Sequence, residues 1–199
     1  IKGKNANNDL WQKAKLGLQA ISTNLADKVK LGLASFPGSD TNNACDAPKE
    51  ILKLDNYKTN SSDANIFVSA VANMADPNSS ALTPTDQALK YVLDNAPEIY
   101  SPGNQVPKFV VLITDGLPQC TIGGTDTKSL MSNSVYYASE LLKKGIQTYV
   151  VGFGSVSNEL KNNLNQIAIA GGTYGFYEAE SVNALVQAFE NMFGCSTYN

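Results

Sequence analysis

A chain of 199 residues is long enough for one sizeable α/β domain with a true core and little left over. Its 15 basic and 18 acidic residues give a net charge of −3 without a charged tail, which argues against nucleic-acid binding along an electrostatic stripe. There is no histidine, so Ser-His-Asp and Cys-His catalysis and histidine-based metal sites are excluded within this chain.

No apolar run approaches the ~18 residues of a membrane-spanning helix. The sequence opens at Ile1 with no stretch that reads as a signal peptide, and the expectation is a processed or truncated chain. A metal bound here would need oxygen ligands, which means a hard cation such as Mg²⁺, Ca²⁺ or Mn²⁺. Cys45, Cys120 and Cys195 fit no zinc spacing. Long polar loops rich in Asn, Ser and Thr favour an exported protein.

Taken in order, residues 1–9 read as a polar loop, with Asp9 capping a helix whose Leu10, Trp11, Ala14, Leu18 and Ile21 share one stripe. Core packing accounts for Trp11 better than a binding role does. Lys28 to Phe36 reads as a strand ended by Pro37-Gly38, and Ser39 to Lys49 as a loop carrying Cys45. Ile51-Leu52-Lys53-Leu54 is a second strand, hairpin-paired with the first. A helix over about Asp63–Met74 should turn Ile66, Phe67, Ala70 and Val71 inward. A polar loop from Asp76 then runs into another helix. Pro84 suits its first position and Thr83 its cap, while Ala88, Leu89, Val92 and Leu93 form its apolar face.

Lys108-Phe-Val-Val-Leu-Ile-Thr114 follows, with five large apolar residues in succession. Such a run has no polar face and suits a strand buried on both sides of a parallel sheet. Thr114-Asp115-Gly116 ends it at a turn, placing a carboxylate at the C-terminal edge of a central strand, where open α/β sheets bind ligands. The plainer role for Asp115 is to cap the following loop. Next come a helix from about Lys128 to Lys144 closed by Gly145, and a strand from Gln147 to Gly154. The chain closes with a helix from Glu159 to Ala170 stopped by Gly171-Gly172, a short strand from Tyr174 to Tyr177, and a helix from Ser181 to Phe193. Strands alternating with helices imply one domain with a doubly wound, mostly parallel sheet flanked by helices. Gly152-Phe153-Gly154 lacks the third glycine of a dinucleotide fingerprint, no P-loop is present, and nothing reads as an activated nucleophile.

Val-Val-Leu-Ile-Thr-Asp115-Gly, set beside Thr83-Pro-Thr85, resembles the von Willebrand factor type A domain family. The order of elements agrees over essentially the whole chain: a Trp-containing first helix, Gly-Leu-Ala-Ser-Phe, the threonine loop, Ile-Thr-Asp-Gly, Thr-Tyr-Val-Val-Gly-Phe-Gly, Leu-Asn-Gln-Ile-Ala, Gly-Gly and a closing helix. The resemblance implies a Rossmann-like fold with a metal-ion-dependent adhesion site. There an Asp-x-Ser-x-Ser loop, a threonine and an aspartate surround one divalent cation, and a ligand carboxylate commonly completes the shell. In this sequence the threonine is Thr83, whose alternative role is helix capping, and the aspartate is Asp115. Two departures stand out. Ser80-Ala81-Leu82 replaces the two glycines often found before the threonine. The Asp-x-Ser-x-Ser segment and the central strand before it are also absent.

The resulting expectation is an exported bacterial adhesion or interaction module, not an enzyme, on the cell surface or secreted. Its ligand would be a protein or glycan offering a carboxylate, and a preceding segment or partner chain would supply the missing strand and complete the Mg²⁺, Ca²⁺ or Mn²⁺ site. One alternative is a structural copy with a degenerate metal site, in a surface appendage such as a pilus or in an envelope complex. Another is an intracellular subunit serving an ATPase. Cys45 and Cys120 follow strands ending on the same edge and are expected to be disulfide-bonded, the alternative being two buried free thiols. Cys195, past the last helix, should pair outside this chain or remain free.

Overall fold

The computed structural model describes residues 7–25, 29–38, 45, 48–55, 62–76, 81–95, 107–120 and 127–194. Among these, the elements in chain order are α1 (Asn7–Leu25), β1 (Leu31–Ser35), β2 (Lys49–Asp55), α2 (Ser62–Ala72), α3 (Thr85–Asp94), β3 (Lys108–Thr114), α4 (Thr127–Lys143), β4 (Ile146–Phe153), α5 (Asn158–Ala170), β5 (Tyr177–Ala179) and α6 (Val182–Phe193).

β3, β4 and β5 form a parallel sheet in that order, with β3 and β4 in register from Lys108↔Ile146 to Thr114↔Gly152. The two-residue period of a strand divides these apolar runs between two cores. Val110, Leu112, Ile146 and Val150 face α3, α4 and α5, meeting Leu89, Leu141, Leu160, Leu164 and Ile167. Val111, Ile113, Tyr149, Val151 and Phe153 face α1 and α6, meeting Ile21, Leu25, Leu185 and Phe189. Helices on both faces of a parallel sheet make the fold doubly wound, as the alternation of elements predicted.

Two serines cap the last two helices, Ser181 where the sequence places the helix start. Ser157 Oγ accepts from Leu160 N and Ser181 Oγ from Ala184 N, each satisfying an otherwise orphaned helix donor. Gly145 closes α4 with φ +75°, a conformation that favours glycine.

β1 and β2 form a separate antiparallel pair, as expected of a hairpin, with α2 packed on it through Phe67 and Val71. Among the described residues β1 pairs only with β2, and β3 only with β4. Among the described residues β3 is therefore an edge strand, despite its five apolar residues in succession. Its Val110, Val111 and Ile113 are only half-buried, and Phe109 is 37% exposed.

Several boundaries differ from expectation. α1 begins at Asn7, so Asp9 lies inside the helix. Ile66 is 44% exposed, because the inward line of α2 is Phe67, Val71 and Met74, spaced i, i+4, i+7. The last strand begins at Tyr177 instead of Tyr174. Residues before it are tied to α5: Thr173 Oγ1 donates to Ala168 O at 2.9 Å, and Phe176 N donates to Asn165 Oδ1 at 3.2 Å. Cys195 lies outside the described residues. Among those described, no helix is long and apolar enough to cross a membrane.

Candidate metal centre

The aspartate is placed by the end of β3. Ladder pairing with β4 holds the strand through Thr114, and the Thr114 hydroxyl then closes a tight turn. It accepts from Gly116 N and donates to Gly116 O, both at 3.3 Å. Thr114 is buried and Asp115 half-buried, with Oδ1 of Asp115 shielded from solvent. A carboxylate oxygen out of water at the C-terminal edge of a parallel sheet is positioned for ligand chemistry.

The threonine arrives from the loop before α3. Thr83 is buried, and its carbonyl accepts from Thr85 N at 2.9 Å and from Gln119 N at 3.0 Å. The second bond joins the threonine loop to the segment following Asp115. A Cβ placed on Gly116 would fall 3.1 Å from Thr83 Oγ1, so the hydroxyl lies against the turn that carries Asp115. The structure thus brings together the two residues singled out in sequence.

It also corrects the assignment of the helix start. α3 begins at Thr85 with Pro84 at the cap, and the cap residue makes no side-chain bond to the helix. Thr83 precedes the cap, so capping does not explain its hydroxyl.

Two neighbours were not picked out from sequence. Thr85 Oγ1 is buried without a hydrogen-bond partner among the described residues. Asp86, also buried, accepts from Gln87 N at 2.8 Å through Oδ1 and from Asn133 Nδ2 at 3.4 Å through Oδ2. An acidic residue in the first turn of a helix is favoured by the helix dipole, and Thr-Asp at the start of α3 was the available signal.

Cys45 and Cys120 are disulfide-bonded, with Cα atoms 5.8 Å apart. The bond joins the β1–β2 connection to the loop after β3, on the edge where Asp115 lies. Gln87 Nε2, from the first turn of α3, reaches Cys45 O at 3.5 Å.

The donor set of Thr83 and Asp115 is all oxygen, which fits a hard divalent cation. Among the described residues no three or more His, Cys, Asp or Glu side chains group into a metal-holding cluster. A cation held by Thr83 and Asp115 would need further ligands beyond these two.

A doubly wound α/β domain with a threonine hydroxyl set against an aspartate turn at its C-terminal edge belongs to the class that binds ligands along that edge. The von Willebrand factor type A domain model matches residues 4–191, and the chain belongs to that family. Among solved structures, proximal thread matrix protein 1 from the mussel byssus is 22% identical with a TM-score of 0.62, covering 94% of this chain and 41% of its own. This chain thus spans less than half the length of that protein. A further structure of the mussel protein has a zinc-occupied MIDAS motif. BatB, a conserved hypothetical protein from Bacteroides thetaiotaomicron, is 18% identical with a TM-score of 0.60, covering 93% of this chain and 89% of its own. The manganese-loaded TRAP protein of Plasmodium vivax is 16% identical with a TM-score of 0.63, covering 96% of this chain and 68% of its own. At these identities the structural likenesses establish the fold. No curated protein matches the sequence.

Proposed function

We propose that this chain is an adhesion or protein-interaction module, not an enzyme, that grips its ligand through a divalent cation held by Thr83 and Asp115. The observation that carries this reading is the approach of the Thr83 hydroxyl to the Asp115-Gly116 turn, with Thr83 free of any capping role. The mussel and Plasmodium proteins, with zinc and manganese respectively, support it by analogy. A bound Mg²⁺, Ca²⁺ or Mn²⁺ would offer an open coordination position to a carboxylate of a protein or glycan ligand. Thr83 and Asp115 would hold the cation, and their backbone turns would keep them in place.

The rest of the shell would come with a strand inserted between β1 and β3, from a preceding segment of the same protein or from a partner chain. Each of these strands is paired on one side only among the described residues, and β3 leaves apolar side chains half-exposed. The start of α1 supports entry from the cation-site edge. Leu10 lies where a Cβ on Gly154, just past the C-terminal end of β4, would meet it at 2.9 Å. The disulfide favours a secreted or surface location over an ATPase-associated role inside the cell. One observation favours a second reading, a structural copy with a degenerate metal site: the described residues hold no metal-binding cluster of three or more His, Cys, Asp or Glu.

Thermal unfolding of the full-length protein in Mn²⁺, Mg²⁺ or Ca²⁺ and then in EDTA separates the two. A cation-induced rise in Tm that EDTA reverses, and that Thr83→Val abolishes, supports the cation site. An identical Tm in every buffer selects the structural copy.

A further inference from the structure

We propose that the Cys45–Cys120 disulfide is a positioning device for the cation site, setting the separation of the Thr83 and Asp115 loops as well as stabilising the fold. The inference rests on the cation reading above. It comes from a closed circuit of contacts around the site. Thr83 O accepts from Gln119 N at 3.0 Å. The next residue, Cys120, is buried and bonded to Cys45. Cys45 O in turn accepts from Gln87 Nε2 at 3.5 Å, and Gln87 lies in the first turn of α3, just after Thr83.

The segment from Asp115 to Cys120 is therefore fixed at both ends. At one end the β3–β4 ladder and the Thr114–Gly116 turn hold it. At the other, the Gln119–Thr83 bond and the disulfide hold it. A disulfide serving stability alone could close a loop anywhere in the chain. This one lands one residue from the hydrogen bond that ties the two ligand-bearing loops together. Gln119 itself is exposed, so its backbone bond to Thr83 is open to competition from water. Cation ligands tolerate displacements of only about 0.2 Å, so slack in this loop is read directly as lost affinity.

The test compares the full-length protein with a Cys45→Ser/Cys120→Ser double variant and with Gln87→Ala, which keeps the disulfide but removes the Gln87–Cys45 hydrogen bond. Mn²⁺ affinity is measured by calorimetry, and exchange of the Gln119 amide by hydrogen–deuterium exchange without cation. The expected result for the double variant is a roughly 10-fold loss of Mn²⁺ affinity, the scale seen when groups supporting metal ligands are removed. Faster exchange at Gln119 should accompany it, with β3 and β4 amides still protected. Unchanged affinity and unchanged Gln119 protection in a folded double variant overturn the proposal. If the double variant does not fold, Gln87→Ala decides: weaker Mn²⁺ binding with faster Gln119 exchange supports the device, and no change in either overturns it. If the unmodified protein binds no cation, the cation reading fails by itself, and Gln119 exchange still decides whether the disulfide clamps the loops.

Discussion

Gly116→Ala probes the site by adding one methyl group. The new Cβ would sit 3.1 Å from Thr83 Oγ1, several tenths of an ångström inside the ~3.5 Å at which such atoms rest comfortably. Either the hydroxyl rotates away or the Thr83 loop shifts outward by that amount. The loop is held by the Gln119 N–Thr83 O bond, so rotation of the side chain is the cheaper response and global stability should change little. A displacement of that size exceeds the ~0.2 Å tolerance of metal–ligand distances, and the expected loss is about 10-fold in cation affinity, near 1.4 kcal/mol. Calorimetric titration of Mn²⁺ and Mg²⁺ into the full-length variant measures it, with thermal unfolding in EDTA as the control. Unaltered affinity in a variant of unaltered Tm would refute the placement of the Thr83 hydroxyl in the cation shell.

Thr83→Ser, which keeps the hydroxyl, should retain cation binding that Thr83→Val loses; equal titrations for the two would remove Thr83 from the site. Reducing Cys45–Cys120 should lower stability in denaturant melts by ~4 kcal/mol, given the 75-residue separation of the cysteines. Asn163 is wholly buried with neither amide atom hydrogen-bonded among the described residues. Asn163→Leu, similar in shape and a better helix former, should therefore stabilise the fold by ~1–3 kcal/mol, and a fall in Tm would mean that the amide has a partner. A Cβ on Gly171 would stand 2.5 Å from Thr148 Cβ, so Gly171→Ala should cost ~1–3 kcal/mol by wedging the end of α5 away from β4, as urea melts would register.

The layered fold was legible because its signals are periodic. The apolar run of β3 has no polar face, and in the structure alternate residues of β3 and β4 feed cores on opposite sides of the sheet. Boundaries were harder where two patterns compete. Ile66 beside Phe67 could each face inward on a helix, and packing against β1 and β2 chose Phe67. Tyr174 and Phe176 have high strand propensity, yet side-chain bonds to α5 hold that segment as a loop. At the candidate site, Asp115 stood out in sequence because it follows an apolar run, and the structure sets it just past the end of β3. Thr-Pro-Thr-Asp imitates a capped helix, and only the observed start at Thr85 separates Thr83 from that role. The buried environment of Asp86, shared with Asn133 from α4, depends on contacts between distant segments that no local pattern encodes.

Whether Asp115 holds a divalent cation is decided by calorimetric titration of Mn²⁺ into the full-length protein and into an Asp115→Ala variant with matching circular dichroism. Because the substitution removes ligand oxygens from a half-buried edge position and leaves both cores intact, saturable binding is expected in the first and none in the second. Equal Mn²⁺ affinity in the two proteins would contradict it.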